Sequence, residues 1–168
     1  MGLHVFINEM SKLLGQLDSW LEKAAAHATA KKFDINNFVL HTRLAPDMLP
    51  LVFQIRNACD HTKYAAARCA GKDAPSHPDT ETTVDELRKR IANVREYVAT
   101  FSPKDYEGAG ERKISLPRWE GKSMTAPDYL AEYAQTNFFF HLTTAYAIMR
   151  HNGVDLGKRD YLGALSMK

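Results

Sequence analysis

Two side chains one helical turn apart, Asn137 and His141, are the first candidates for chemistry in this 168-residue chain. They lie in the run from Thr136 to Gly153, the second half of a helix that opens near Asp128, closes at Asn152 and stops on Gly153. At about 100° per residue, Leu130, Ala134, Asn137, Ala145 and Ile148 fall within about 40° of His141. An amide and an imidazole therefore share a face that is otherwise apolar. A third candidate, His61, sits on the edge of the apolar arc of an earlier helix, in line with Gln54, Asn57 and Arg68. In helix bundles, metal sites are built from inward side chains on facing helices. A divalent transition metal takes neutral imidazole, and a catalytic site usually has three protein ligands. His61 and His141 supply two, and Asn137, Asp60 or His151 must supply the third. His151 lies about 80° round the helix from His141 and two to three turns along, badly placed for that role. The plain alternative is a solvated polar stripe at His61 and an Asn137–His141 pair that satisfies itself.

Four long helices must position these groups. Leu3, Phe6, Met10, Leu13, Leu17, Trp20, Leu21, Ala24 and Ala28 recur at threes and fours and predict a helix over 3–31. A long connection from Phe33 to Pro46 follows. Asp47 as cap, with Pro50 in the first turn, predicts a second helix from Met48 to Ala70 that ends at Gly71. Residues 72–82 carry two prolines and read as a surface linker. Thr83 and Glu86 form a capping box for a third helix that carries Val84, Leu87, Ile91, Val94, Val98 and Phe101 and is ended by Ser102-Pro103. A glycine-rich turn at 108–110 leads to alternating Ile114 and Leu116, a turn at 120–122 and Met124, which predict a short hairpin. Thr125, Pro127 and Asp128 then supply the cap, early proline and acidic first turn of the fourth helix. Residues 155–168 read as a polar tail over the bundle end. The sum is one all-α domain over 1–168, a four-helix bundle with a long crossover and a short hairpin before the last helix.

Composition excludes several functions. A net charge of +2 and 25% charged residues are too balanced for a nucleic-acid or anionic-membrane partner. No apolar run approaches the roughly 20 residues of a membrane span, and no signal peptide is visible, so a soluble, cytoplasmic protein is expected. Cys59 and Cys69 are ten residues apart on one helix, about 15 Å of rise, too far for a mutual disulfide. Phosphate loops, nucleophile elbows, CxxC and HExxH are all missing from the sequence.

Longer blocks carry a resemblance. The run Asn137-Phe-Phe-Phe-His141-Leu-Thr-Thr-Ala-Tyr-Ala-Ile-Met-Arg-His-Asn-Gly-Val154-Asp-Leu-Gly-Lys158 resembles the C-terminal signature of the uncharacterised DUF1993 family. Arg43-Leu-Ala-Pro-Asp-Met48, Ala58-Cys-Asp-His61-Thr-Lys63 and Ala67-Arg-Cys-Ala-Gly71 resemble it too, in order along most of the chain. That family is part of the DinB/YfiT-like superfamily of metalloenzymes. The resemblance implies a DinB-type four-helix bundle that often dimerises. Its relatives include thiol S-transferases using mycothiol or bacillithiol, and metal-dependent isomerases or hydrolases. It implies a divalent metal, zinc or nickel, held by one histidine of the second helix and an HxxxH pair of the last. Aligned on Arg150 to Val154, His141 matches the second histidine of that pair and Asn137 stands where the first would be. The helix-two histidine corresponds to Asn57 or His61. The expected site is therefore an atypical metal or small-molecule site at His61, Asn137 and His141, with a small-molecule or thiol substrate. The alternative is a non-catalytic homodimeric binding or structural module with a degenerate metal site.

The last helix also predicts assembly. Phe139, Leu142, Tyr146 and Met149 form a second apolar stripe, which suggests a two-fold homodimer packed through that helix, with or without the first; the alternative is that the first and third helices bury both of its faces.

Overall fold

The computed structural model describes residues 2–167; Met1 and Lys168, the two ends of the expected domain and tail, lie outside the described residues. Four long helices form the bundle: α1 (Leu3–Lys31), α3 (Leu51–Ala70), α4 (Val84–Ala99) and a composite last helix. That last helix begins as α5 (Ala126–Asp128), widens to a π-turn over Tyr129–Ala134 and continues as α6 (Gln135–His151). A short α2 (Ile35–His41) lies in the first connection, and α7 (Lys158–Leu162) follows the last helix. The crossover from α4 to α5 holds the hairpin, with β1 (Lys113–Ile114) antiparallel to β2 (Met124–Thr125) and a 3₁₀ turn, Pro117–Trp119, between them.

α3 is the central element, in contact with α1, α4 and α6. Its alanines, Ala58, Ala65 and Ala66, are buried and let neighbouring helices approach closely on several sides. Larger residues from those neighbours fill the core, among them Trp20 and Leu21 of α1, Ile91 of α4 and Phe138 of α6.

Several boundaries follow local chemistry. The Thr83–Glu86 capping box forms as expected, and Thr125 accepts a bond from the Asp128 backbone N–H. Gly71 and Gly153 take the left-handed conformation, with φ of 70° and 90°, and end α3 and the last helix. α3, however, starts at Leu51 with Pro50 as its N-cap, not at Met48 under Asp47. A proline ring disfavours helical geometry in the residue before it, so Leu49 cannot extend the helix backwards. α4 stops at Ala99, short of Phe101, although Phe101 is still buried.

The second apolar stripe of the last helix is largely covered by this chain itself. Leu142 and Met149 are fully buried, and Tyr146 is half-buried with its ring against Trp20 and Tyr161. Tyr161 belongs to α7, in the segment read from sequence as a polar tail. The helix is pinned there by the Trp20 indole N–H on the Asp160 carbonyl at 3.1 Å and by a 2.9 Å bond between Thr143 and Tyr161. Phe139 and Phe140 remain exposed.

Behind α3 lies a buried charge network. Asp60 takes both the Lys63 ammonium, at 3.0 Å, and the Arg90 guanidinium, at 2.8 Å. Lys63 also donates to His77 Nδ1, while Arg90 reaches Asp79 and Glu81, so the linker over 72–82 is drawn onto α3 and α4. Lys63 is only 1% exposed and Arg90 3%. Breaking one partner of a buried ion pair strands the other charge at a cost of about 3–5 kcal/mol. Asp60→Asn is therefore expected to lower the unfolding free energy by about 3 kcal/mol or more in urea titration; a loss under about 1 kcal/mol would mean the cations are solvated or compensated elsewhere.

Candidate functional site

The site lies where α3 meets the last helix. Leu130, Ala134, Ala145 and Ile148 face the core on the His141 side of that helix and fix its rotation against α3. This presents His141 to α3, and His141 is only 8% exposed. The opposing position on α3 is held by Gln54, 2% exposed, although the polar stripe in which it stands reads from sequence as solvated.

Gln54 connects three elements. Its Nε2 donates to the Leu49 carbonyl at 2.9 Å, which leaves Oε1 as the acceptor facing His141. Nδ1 of His141 lies 2.8 Å from that oxygen. Two acceptors cannot share a hydrogen bond, so Nδ1 carries the proton and the neutral ring keeps its lone pair on Nε2. Asn137, by contrast, does not pair with His141. Its Nδ2 donates to the Tyr133 carbonyl at 2.7 Å, where Thr136 Oγ1 also donates at 3.1 Å. The π-turn, Tyr129–Ala134, widens the helix just before these residues and contains the carbonyl on which both side chains sit. The amide oxygen of Asn137 is thus the only atom of that group left to act as a further acceptor.

His61 of α3 completes the group. Its ring is nearly parallel to that of His141, with centroids 5.6 Å apart and planes at 16°, and it lies 5.7 Å from the Tyr133 ring. His61 has no hydrogen-bond partner within the protein among the described residues. Burial pushes His61 down to about 4, helped by His141, Arg118 and Arg68 and opposed by Asp60. Burial alone takes His141 down to about 4. Both rings are neutral at pH 7 and offer lone pairs, but at those pKa values they are weak general bases.

His61, Asn137 and His141 line one cavity of about 280 Å³. Asn57, the other helix-two candidate, lines it too, with its Nδ2 on the Phe53 carbonyl at 3.0 Å. His151 is exposed elsewhere on the last helix. Asp60 reaches the cavity but is engaged by Lys63 and Arg90. Among the described residues no three His, Cys, Asp or Glu side chains come together in a metal-binding group. Two imidazoles and one amide oxygen leave a catalytic zinc or nickel ion short of its third strong ligand. Arg68 and Arg118, in the same wall, add positive charge where a divalent cation would sit. As a catalytic metal site this donor set is weak.

The arginines and Tyr133 were not visible as site residues in the sequence. Arg68 stands in the same stripe as His61, but Arg118 arrives from the hairpin tip, a contact that no local pattern reports. Cys59 and Cys69 are buried, and that burial pushes both thiols up to about 12, which disfavours a thiolate nucleophile.

The family model described as "Domain of unknown function (DUF1993)" matches residues 3–162. Among solved structures the chain is similar to a DinB family member protein from Shewanella denitrificans. The two are 44% identical, the match covers 99% of this chain and 94% of the other, and the TM-score is 0.95. No curated protein matches the chain. The fold is DinB-like, and no helix among the described residues is long and apolar enough to cross a membrane.

The neutral imidazoles give the site a pH signature. Above about 6.5 the rings are uncharged in both folded and unfolded chains. Between about 6.5 and 4 the unfolded rings bind protons that the folded rings refuse, so stability falls as pH falls through that window. His77, lowered by burial in the linker, adds to the loss with the same sign. For His141 the full effect is on the order of 3 kcal/mol. Urea midpoints are expected to drop steadily from pH 7 to pH 4.5; equal midpoints would show that the rings titrate normally.

Proposed function

The chain belongs to the DUF1993 family, and on that footing we propose that it is a cytoplasmic small-molecule-binding protein whose ligand occupies the cavity over His61 and His141. The observation that carries this reading is the stacked pair of neutral imidazoles in a cavity that also holds two arginines and, among the described residues, lacks a third strong metal ligand. Such a wall offers lone-pair acceptors from His141 and Asn137 beside guanidinium donors, a pattern suited to an organic ligand. Free, buried Cys59 and Cys69 suit a reducing compartment.

One observation favours the second reading, a divalent zinc or nickel ion held by His61, Asn137 and His141 for thiol-transfer or related chemistry. Gln54 orients His141 from behind, as outer residues orient metal-bound histidines. Metal content separates the two. Protein produced without a histidine tag and dialysed is expected to retain well under one equivalent of zinc or nickel, and Asn137→His is expected to raise that uptake by supplying the third ligand. A stoichiometric metal in the parent protein would overturn the small-molecule reading. Equal uptake by parent and variant would remove Asn137 from the site.

We also propose a two-fold homodimer, restricted to the exposed Phe139 and Phe140 of α6 because the rest of the stripe is covered. Light scattering is expected to report twice the 19.0 kDa of the chain, and a monomer at micromolar concentration would contradict it.

A further inference from the structure

Two guanidiniums in the wall of the histidine cavity have no carboxylate partner. Arg68 and Arg118 both line it, and neither is in an ion pair among the described residues. Half-buried Arg68 is held in place without being neutralised. Its Nη1 donates to the Tyr129 hydroxyl at 3.0 Å, and its Cζ lies 4.2 Å from the centre of the Tyr64 ring. One of its five donors is thereby used, and the planar fork is pre-oriented. Arg118 lies over Tyr133, with its Cζ 5.1 Å from the ring centre. The one carboxylate in the same wall, Asp60, is already paired with two buried cations. The cavity therefore carries uncompensated positive charge beside neutral imidazoles.

A second cavity, of about 520 Å³, adjoins the first and shares Arg118 and Tyr133 with it. Its charges nearly balance, since Arg118 and Lys122 stand with Glu120 and Glu132. Its aromatic wall is Trp119 edge-on to Tyr133, with centroids 5.4 Å apart and planes at 84°. One end of the combined space favours an anion, and the other a flat uncharged body. Its size is that of small-molecule sites, ~300–1,000 Å³. At the anionic end, His141 Nε2 and the Asn137 amide oxygen are acceptors, so a ligand there gains from a hydroxyl donor.

We propose that the two cavities form one site for a small aromatic hydroxy acid, with its carboxylate between Arg68 and Arg118 and its ring against Trp119 and Tyr133. The inference rests on the small-molecule reading above and gives the class of ligand. A carboxylate accepts the two parallel N–H bonds that the free edge of a guanidinium presents, and two arginines suffice for its single charge.

The test is calorimetry together with the imidazole NMR signals of His61 and His141, using four probes on the full chain. These are 3-phenyllactate, 2-phenylethanol without the carboxylate, lactate without the ring, and inorganic phosphate. Phenyllactate is expected to bind and to shift both imidazole signals, with the other three at least about tenfold weaker. Arg118→Ala, a change at an exposed side chain, is expected to weaken phenyllactate about tenfold with an unchanged unfolding temperature. Arg68→Lys keeps the charge but loses the fork and is expected to do the same. If phenylethanol binds as tightly and shifts the same signals, the anion assignment fails while the small-molecule reading stands. Tighter binding of phosphate would overturn the carboxylate and the ring together. If no probe shifts either imidazole, both this inference and the reading beneath it fail.

Discussion

The hydrogen bond from His141 to Gln54 is the constraint on which the site depends. A buried amide must satisfy both of its ends or lose about 1–3 kcal/mol for each one left open. In Gln54 the Leu49 carbonyl claims the NH₂ group, so only the oxygen is free to meet α6. His141 must answer with an N–H, and its other nitrogen must then be an acceptor. One backbone carbonyl before α3 thus decides the chemistry of a ring on the last helix. The bond also resists rotation of that helix, because any turn about its axis would break a satisfied pair inside the core.

Charge is arranged around this neutral centre in two tiers. Behind α3, Lys63 and Arg90 are buried and paired with Asp60, Asp79, Glu81 and a histidine, with Arg90 Nε left without a partner among the described residues. In front, Arg68 and Arg118 line the cavity with aromatic rings beside them, and neither is in an ion pair among the described residues. Asp60 separates the tiers. Its carboxylate is held by the two rear cations, while its charge still reaches His61 and opposes the front arginines there. His61 lies between these groups, and burial, the neighbouring imidazole and the two front arginines all favour its neutral form. Where the superfamily pattern would place a histidine, Asn137 holds a carbonyl of the π-turn.

The bundle was readable in the sequence because its signals are local. Periodic leucines marked α1, a Thr–Glu box opened α4, and left-handed glycines closed α3 and the last helix. Misplaced elements had local signals overruled by neighbours. Asp47 looked like a cap until Pro50 forced the chain out of helix, and the polar tail became α7 because Tyr161 found Trp20 and Tyr146. His61, Asn137 and His141 were readable as candidates from helical spacing and from the family resemblance. Their partners were not. Gln54 is separated from His141 by 87 residues, and its burial reverses what a polar stripe ordinarily means. Arg118 comes from a hairpin tip whose position depends on the whole crossover. Helical period reports which side chains share a face, but not what stands opposite.

The most direct measurement is the protonation state of His141, read by two-bond nitrogen–proton NMR correlation on ¹⁵N-labelled protein at pH 7. The neutral ring held by Gln54 predicts a protonated Nδ1 and a bare Nε2. A proton on Nε2 alone, or on both nitrogens, would contradict the assignment of Gln54 and the acceptor character of the cavity with it.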